Sequence, residues 1–412
     1  MKRREFLQLG LLATSGLLLL GENGWAAKGL GDDKNSKRLV VVFLRGAVDG
    51  LNVVVPYSEA AYYAARPTIA IPRPDENGGA LILDRQFTLH PALSSLMPLW
   101  EKGTLAFVHA CGSPDASRSH FDAQDYMETA TPGLKSTPDG WLNRLLDVLP
   151  GTRSATEAIS VGPTLPRILS GRAAATNLPL GKAATRPMPL DRPEIEQAFD
   201  QLYKGSDALS VAYREGQSSR KKLLSELTDE MTQADMGAPS PVGFVDQARK
   251  LGRLIDRDST IKVAFVALGG WDTHINQGSV TGQLSNRLKA LGATLATFVQ
   301  ALGPAYAETV IVVMSEFGRT VHENGNTGTD HGHGNVMWVM GGNVRGGKVY
   351  GQWPGLSGNE LYEGRDLSVT TDFRAVISAV LEGQFGLTSM QLDKVLPKGP
   401  RPSREMREMM RA

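Results

Sequence analysis

The sequence predicts an α/β protein, and three observations carry the prediction. Four near-continuous apolar runs, residues 38–44, 104–109, 261–268 and 309–314, read as strands buried on both faces. Stretches with helical spacing of apolar residues lie among them, as at 92–102 and 282–302. Each of the four runs then opens into a polar loop carrying a carboxylate, a histidine or a hydroxyl, which is how open α/β sheets place sites at the carboxyl ends of their strands. There is no internal repeat and no heptad.

Composition sets the class. Of 412 residues, 41% are apolar and 21% charged, enough to fill a sizeable core and too apolar for wholesale disorder. A formal net charge of +1 leaves no footprint for nucleic acid. Lys2-Arg3-Arg4-Glu5-Phe6-Leu7 is a basic segment with paired arginines, followed by an apolar run from Leu9 to Leu20 and the small-residue stretch Gly24-Trp25-Ala26-Ala27. That run falls short of the roughly 20 residues needed to span a bilayer. Residues 1–27 therefore read as a twin-arginine export signal rather than an anchor. The expected partner is the twin-arginine export machinery, the expected location is the periplasm or the exterior, and no stable membrane span is expected. A single cysteine, Cys111, excludes an internal disulfide and a thiolate metal site, and its default role is that of a small buried hydrophobe.

After a polar linker at 28–36, the run at 38–44 opens into Arg45-Gly46-Ala47-Val48-Asp49-Gly50-Leu51-Asn52. Asp49 is either a turn residue before glycine or a metal ligand. A short helix at 60–65, a short strand at 80–83 and a helix at 92–102, with Leu93, Leu96, Leu99 and Trp100 inward, precede the run at 104–109. The outlet of that run contains Ser117-Arg118-Ser119-His120 and leads into a helix at 120–128. Ser119, ahead of Ser117, reads both as a helix N-cap and as a nucleophile facing the positive helix end, with Arg118 as oxyanion clamp.

Residues 156–161 read as a further strand and 163–193 as a surface excursion. Helical patterns follow at 195–203, 206–235 and 242–254, so that about 163–258 forms either a cap or packing on the sheet. The run at 261–268 opens into Gly269-Gly270-Trp271-Asp272-Thr273-His274, in which a carboxylate and an imidazole two residues apart can converge on one cation. The helix at 282–302 leads to the run at 309–314 and the densest polar stretch of the chain, Ser315-Glu316-Phe317-Gly318-Arg319 followed by Asp330-His331-Gly332-His333-Gly334. Strands at 335–341 and 347–352 and a helix at 369–381 complete a single domain over 28–396, and the basic tail 397–412 is expected to be mobile. The parts played by His90, His109, His120 and His322 stay open.

Asp49, Asp272, His274, Glu316, Asp330, His331 and His333 are the candidate ligands of one or two divalent ions, Zn, Mn, Mg or Ca, the other reading being a structural polar cluster without metal. The loop at 45–52, Ser117-Arg118-Ser119-His120-Phe121-Asp122-Ala123-Gln124-Asp125, Gly269-Gly270-Trp271-Asp272-Thr273-His274 and the stretch 315–334 together resemble a bacterial family of unknown function whose members carry twin-arginine signals. That family in turn resembles the alkaline phosphatase/sulfatase superfamily. The resemblance implies an alkaline phosphatase-like three-layer sandwich with a mixed, mostly parallel central sheet. It also implies metals at the strand ends, Asp49 as the first-strand acid and Ser119 or Ser117 as nucleophile. The expected activity is exported, metal-dependent hydrolysis of a small-molecule phosphate or sulfate ester, with Arg118 or Arg319 neutralising the ester oxygens. The alternative is a catalytically silent metal-binding or envelope assembly protein.

Overall fold

The computed structural model describes residues 37–178 and 244–411, apart from 77, 152, 153 and 163, together with 204, 205, 207 and 210. The export signal, the linker at 28–36 and the helix expected at 195–203 lie outside the described residues, as does all but 207 and 210 of the helix expected at 206–235.

The first strands are β1 (Arg38–Leu44), β2 (Val54–Val55), β3 (Leu81–Ile82), β4 (Thr88–Leu89), β5 (Leu105–Gly112) and β6 (Ala158–Val161). They are followed by β7 (Thr176–Leu178), β8 (Val263–Leu268), β9 (Thr309–Ser315), β10 (Asn335–Gly341), β11 (Lys348–Tyr350) and β12 (Thr371–Asp372). Strands β2, β4 and β3 make a small antiparallel sheet, and the others form the central one in the order β11-β5-β10-β9-β1-β8-β6-β7, with β12 also on β5. Among these strands β10 alone runs against the rest, pairing antiparallel with both β5 and β9. The sheet is thus mixed and mostly parallel.

The alternation of side chains along β1 explains the layers. Leu39, Val41 and Phe43 face a core shared with the helices Trp141–Val148, Phe373–Phe385 and Ser389–Val395. Val40, Val42 and Leu44 face the opposite core, made with the helices Val245–Arg257 and Gln283–Leu302 and the 3-10 turn Pro91–Leu96. A strand apolar at every position is therefore buried on both sides, as its composition predicts.

Register places the site. Leu44 lies level with Leu268 of β8 and with Ser315 of β9, so the loops leaving these three strands emerge side by side. On β5 a register shift lies between the Asn335–Cys111 and Met337–Val108 pairs, and Ala110 there has φ +50°. An extra residue of this kind bends a strand and re-aims its outlet.

The helix at 92–102 and the tail differ from expectation. The helix expected at 92–102 is a 3-10 turn, Pro91–Leu96, followed by the helix Met97–Glu101, because Pro98 has no N–H with which to continue the ladder. Of the two readings of 163–258, a cap or packing on the sheet, the described residues show packing. Ile168 and Leu169 are buried, β7 adds a strand, and Val245–Arg257 packs against Gln283–Leu302. The expected mobile tail is docked. Ser403 caps the helix Arg404–Glu408, Met406, Met409 and Met410 are buried, and the Arg411 N–H bonds the Asn343 carbonyl at 2.8 Å.

A candidate metal centre at the strand ends

Four segments supply the site. The helix His120–Thr129 begins with a histidine at its first position, aimed by the outlet of β5. Asp272 and His274 follow β8, and Glu316 is the first residue after β9. Asp330 and His331 return on the far side of the same loop. Here residues 318–320 pair with 330–333 through Gly318 N–His333 O at 2.9 Å, Thr320 N–Asp330 O at 3.0 Å and Gly332 N–Gly318 O at 2.8 Å. Two glycines allow this closeness. A Cβ on Gly332 would stand 2.4 Å from the Arg319 carbonyl carbon, and one on Gly328 would stand 2.3 Å from the His274 oxygen.

His331 stands between two other imidazoles, and His120, Asp272 and His331 bring one donor atom each within 4.8 Å of one another. The Nε2 atom of His331 lies 3.0 Å from Nε2 of His120 and 3.0 Å from Nε2 of His274. Asp272 Oδ1 is 3.0 Å from His274 Nε2, 3.4 Å from His331 Nε2 and 3.7 Å from His120 Nε2. Donors held about 2.0–2.1 Å from a tetrahedral zinc ion are separated by roughly 3.3 Å, close to these spacings.

The opposite ring nitrogens fix the tautomers. His120 Nδ1 donates to Glu316 Oε1 at 2.7 Å, His274 Nδ1 to Asp330 Oδ1 at 3.0 Å and His331 Nδ1 to the Arg118 carbonyl at 2.9 Å. All three partners are acceptors only, so each Nδ1 carries the proton, and in the neutral form the rings of His120 and His274 each direct an Nε2 lone pair at His331. Lone pairs so placed repel unless a cation or a proton lies among them. Imidazoles whose far nitrogens are anchored by carboxylates and carbonyls are characteristic of metal ligands. Phe317 backs the arrangement, its ring centroid 4.9 Å from that of His120 and 5.1 Å from that of His331.

The electrostatics agree with this geometry. Burial alone would raise the pKa of Glu316, but donors from His120, Gln124 and Gly46 outweigh it and hold the carboxyl below its usual value. Glu316 in turn raises His120, whereas burial lowers His331. Burial also works against the Asp272 carboxylate, yet the Arg319 guanidinium keeps its pKa below normal. The centre is open to solvent, since the side chains of Asp272 and His274 are 44% and 39% exposed.

The structure therefore brings Asp272, His274 and His331 of the expected ligands together and adds His120, which sequence reasoning left open. Glu316 and Asp330 orient imidazoles and do not face the convergence point. Asp49 and His333 are directed elsewhere. Both Asp49 oxygens are occupied by the buried Arg66 guanidinium, at 2.6 and 3.1 Å, and one of them also by Gln277 at 2.6 Å. His333 donates from Nε2 to the Ser113 carbonyl and packs on Tyr362.

The expected clamps are likewise engaged. Arg319 is buried and bonds the carbonyls of Gly46, Ala47, Trp271 and Thr329 as well as Asp272. Arg118 is paired with Glu363 and Asp366. Ser119 accepts from Asp122 N at 3.5 Å as the helix N-cap, and Ser117 accepts from Ser119 N at 3.3 Å.

Fold and site together define an α/β protein with a histidine–carboxylate centre at the carboxyl ends of its central strands. Residues 36–398 match the model of the family described as Protein of unknown function (DUF1501), and the chain belongs to that family. No curated protein matches it. Among solved structures it is similar to an alkaline phosphatase superfamily protein from Vibrio parahaemolyticus, at 10% identity and a TM-score of 0.37, covering 77% of this chain and 62% of that one. It is also similar to the C-terminal periplasmic domain of EptC from Escherichia coli, solved in complex with Zn, at 10% identity and a TM-score of 0.33, covering 75% and 74%. A third likeness, to the lipoteichoic acid synthase LtaP from Listeria monocytogenes, has 10% identity and a TM-score of 0.36 and covers 90% and 78%.

Proposed function

We propose that the chain is an exported, metal-dependent hydrolase of phosphate or sulfate esters. In this reading His120, His331 and Asp272 hold one divalent ion, with His274 beside them. The observation that carries the reading is the meeting of two Nδ1-anchored imidazoles, His120 and His331, with the Asp272 carboxylate, and a third anchored imidazole, His274, against His331 and Asp272. Such a donor set favours Zn²⁺ over Mn²⁺, and both over Mg²⁺ and Ca²⁺, which prefer oxygen ligands. When bound, the ion would polarise the ester oxygen and offset the charge that develops on it. Glu316, Asp330 and the Arg118 carbonyl hold the three rings in the ligating tautomer, and Arg319 orients Asp272. Ser119 is the nucleophile of this proposal. It is solvent-exposed, stands directly before His120 and accepts only a long backbone hydrogen bond, which leaves its oxygen accessible to an ester, and its proton would pass to solvent on attack.

The second reading is a metal-binding envelope protein without turnover. One observation favours it: both nearby arginines are already paired. The test is metal analysis of the full chain purified from the periplasm, followed by aryl phosphate and aryl sulfate turnover of wild type, Ser119→Ala and His331→Ala. One equivalent of metal with turnover lost in both variants supports the hydrolase. Metal without turnover supports the silent protein, and a folded chain without metal overturns both.

A further inference from the structure

Behind the centre lies a second polar assembly that hydrogen-bonds to none of the His120, His274 and His331 rings or the Asp272 carboxylate. Asp49, Asn52, Arg66, Gln277 and Thr329 are fully buried, and Thr273 nearly so. All five N–H groups of Arg66 have partners: Nε bonds the Val321 carbonyl at 2.9 Å, Nη1 bonds Asp49 at 2.6 Å and Asn52 at 2.7 Å, and Nη2 bonds Asp49 at 3.1 Å and the Thr320 carbonyl at 2.9 Å. Asp49 then accepts from Gln277 Nε2 at 2.6 Å. The other end of that amide, Oε1, accepts from the hydroxyls of Thr273 at 2.6 Å and Thr329 at 2.9 Å.

These two threonines are the significant members. Thr273 stands between Asp272 and His274, while Thr329 directly precedes Asp330 and His331. The two strands of the site are also joined by Thr329 N–Thr273 O at 3.1 Å. One amide oxygen thus bridges the segment that supplies Asp272 and His274 to the segment that supplies Asp330 and His331, and its dipole is oriented by a buried ion pair. A buried ion pair is poorly justified by stability alone, and its best-attested use is to fix register.

We infer that Asp49, Arg66 and Gln277 are positioning residues of the metal centre. They set the spacing between the Asp272–His274 and Asp330–His331 segments through the hydroxyls of Thr273 and Thr329, and so set the affinity for the ion. This rests on the metal-centre reading above but not on any ester hydrolysis. The test is Zn²⁺ affinity, by competition with a chromophoric chelator, and the visible spectrum of the Co²⁺-loaded protein. Both are measured on full-length wild type and on the near-isosteric variants Thr273→Val, Thr329→Val and Gln277→Met, with Thr273→Ser as the conservative control. The expected result is a loss of Zn²⁺ affinity of about ten- to a hundredfold in each hydroxyl-free or amide-free variant, with an altered Co²⁺ spectrum, and a loss of no more than about threefold in Thr273→Ser. Variants that melt at lower temperature without metal yet bind Zn²⁺ as wild type would reduce the assembly to a structural one and overturn the inference. A wild-type chain that binds no Zn²⁺ would instead overturn the metal centre itself.

Discussion

Asp49 and Asp272 begin alike and end differently. Each follows one of two adjacent parallel strands, β1 and β8, and each is paired with a buried arginine, Arg66 or Arg319. Asp49 is sealed, with both of its oxygens engaged by Arg66 and one of them also by Gln277. Asp272 is half exposed, and the oxygen that meets Arg319 also faces three imidazoles. A carboxylate at a strand end is therefore not a ligand by position. What decides is whether the chain supplies enough buried donors to satisfy it.

The largest effect that can break this contrast is expected from Arg66→Met, which leaves Asp49 charged and buried. Removing one partner of such a pair costs about 3–5 kcal/mol, to be read from urea denaturation. A loss under about 1 kcal/mol would mean that Asp49 is not sealed.

Next comes acid sensitivity. His90 and His109 are buried on the sealed side, and burial lowers both to about 4. Each uses Nδ1 to accept a backbone N–H, from Ala92 and Ala110, so protonation would cost that bond as well. Their folded pKa lies below the unfolded value of about 6.5, so their contribution is full above pH 6.5 and is lost as the pH falls. The expected loss by pH 4 is about 3 kcal/mol for each, measured as denaturation midpoint against pH and removed in part by His109→Gln. His120 has the opposite sign. Raised by Glu316, it contributes stability below about pH 6.5 that disappears as the pH rises through its folded pKa.

Glu316→Gln sharpens the contrast from the side of the centre. It removes the charge that holds His120 in its tautomer and should weaken Zn²⁺ binding by about ten- to a hundredfold. Unchanged affinity would mean that His120 is not a ligand. The smallest effect is expected from Phe121→Ser. Although it follows His120 directly, Phe121 is 89% exposed, and its loss should change stability by less than about 0.5 kcal/mol in the same denaturation assay.

Much of this arrangement is legible in the chain. The strands at 38–44, 309–315 and 335–341 stand out because apolar side chains on both faces leave a continuous run. Asp272, His274 and His331 stand out because glycines and a strand end surround them. Other features are hidden for identifiable reasons. A carboxylate that ligates a metal and one that holds a ligand look the same in sequence, so Glu316 and Asp330 read as ligands. His120 reads as an ordinary first residue of a helix, because only the bend in β5 aims that helix at the centre. The partner that removes Asp49 from the site is Arg66, on another loop, and no local pattern announces it. The tail reads as mobile because arginines and prolines mask three methionines whose common face appears only once the helix Arg404–Glu408 is capped by Ser403.

The solitary thiol has a practical consequence. Cys111 is buried within β5, and burial raises it well above the ordinary thiol range, so it is inert to mild alkylating reagents. Gly325, at the tip of the loop that carries His331, has no neighbouring atom within 4 Å of an added Cβ. A Gly325→Cys variant would therefore present one addressable sulfur on the loop that carries His331, and a fluorophore attached there could report the arrival of an ion or an ester without removal of the native cysteine.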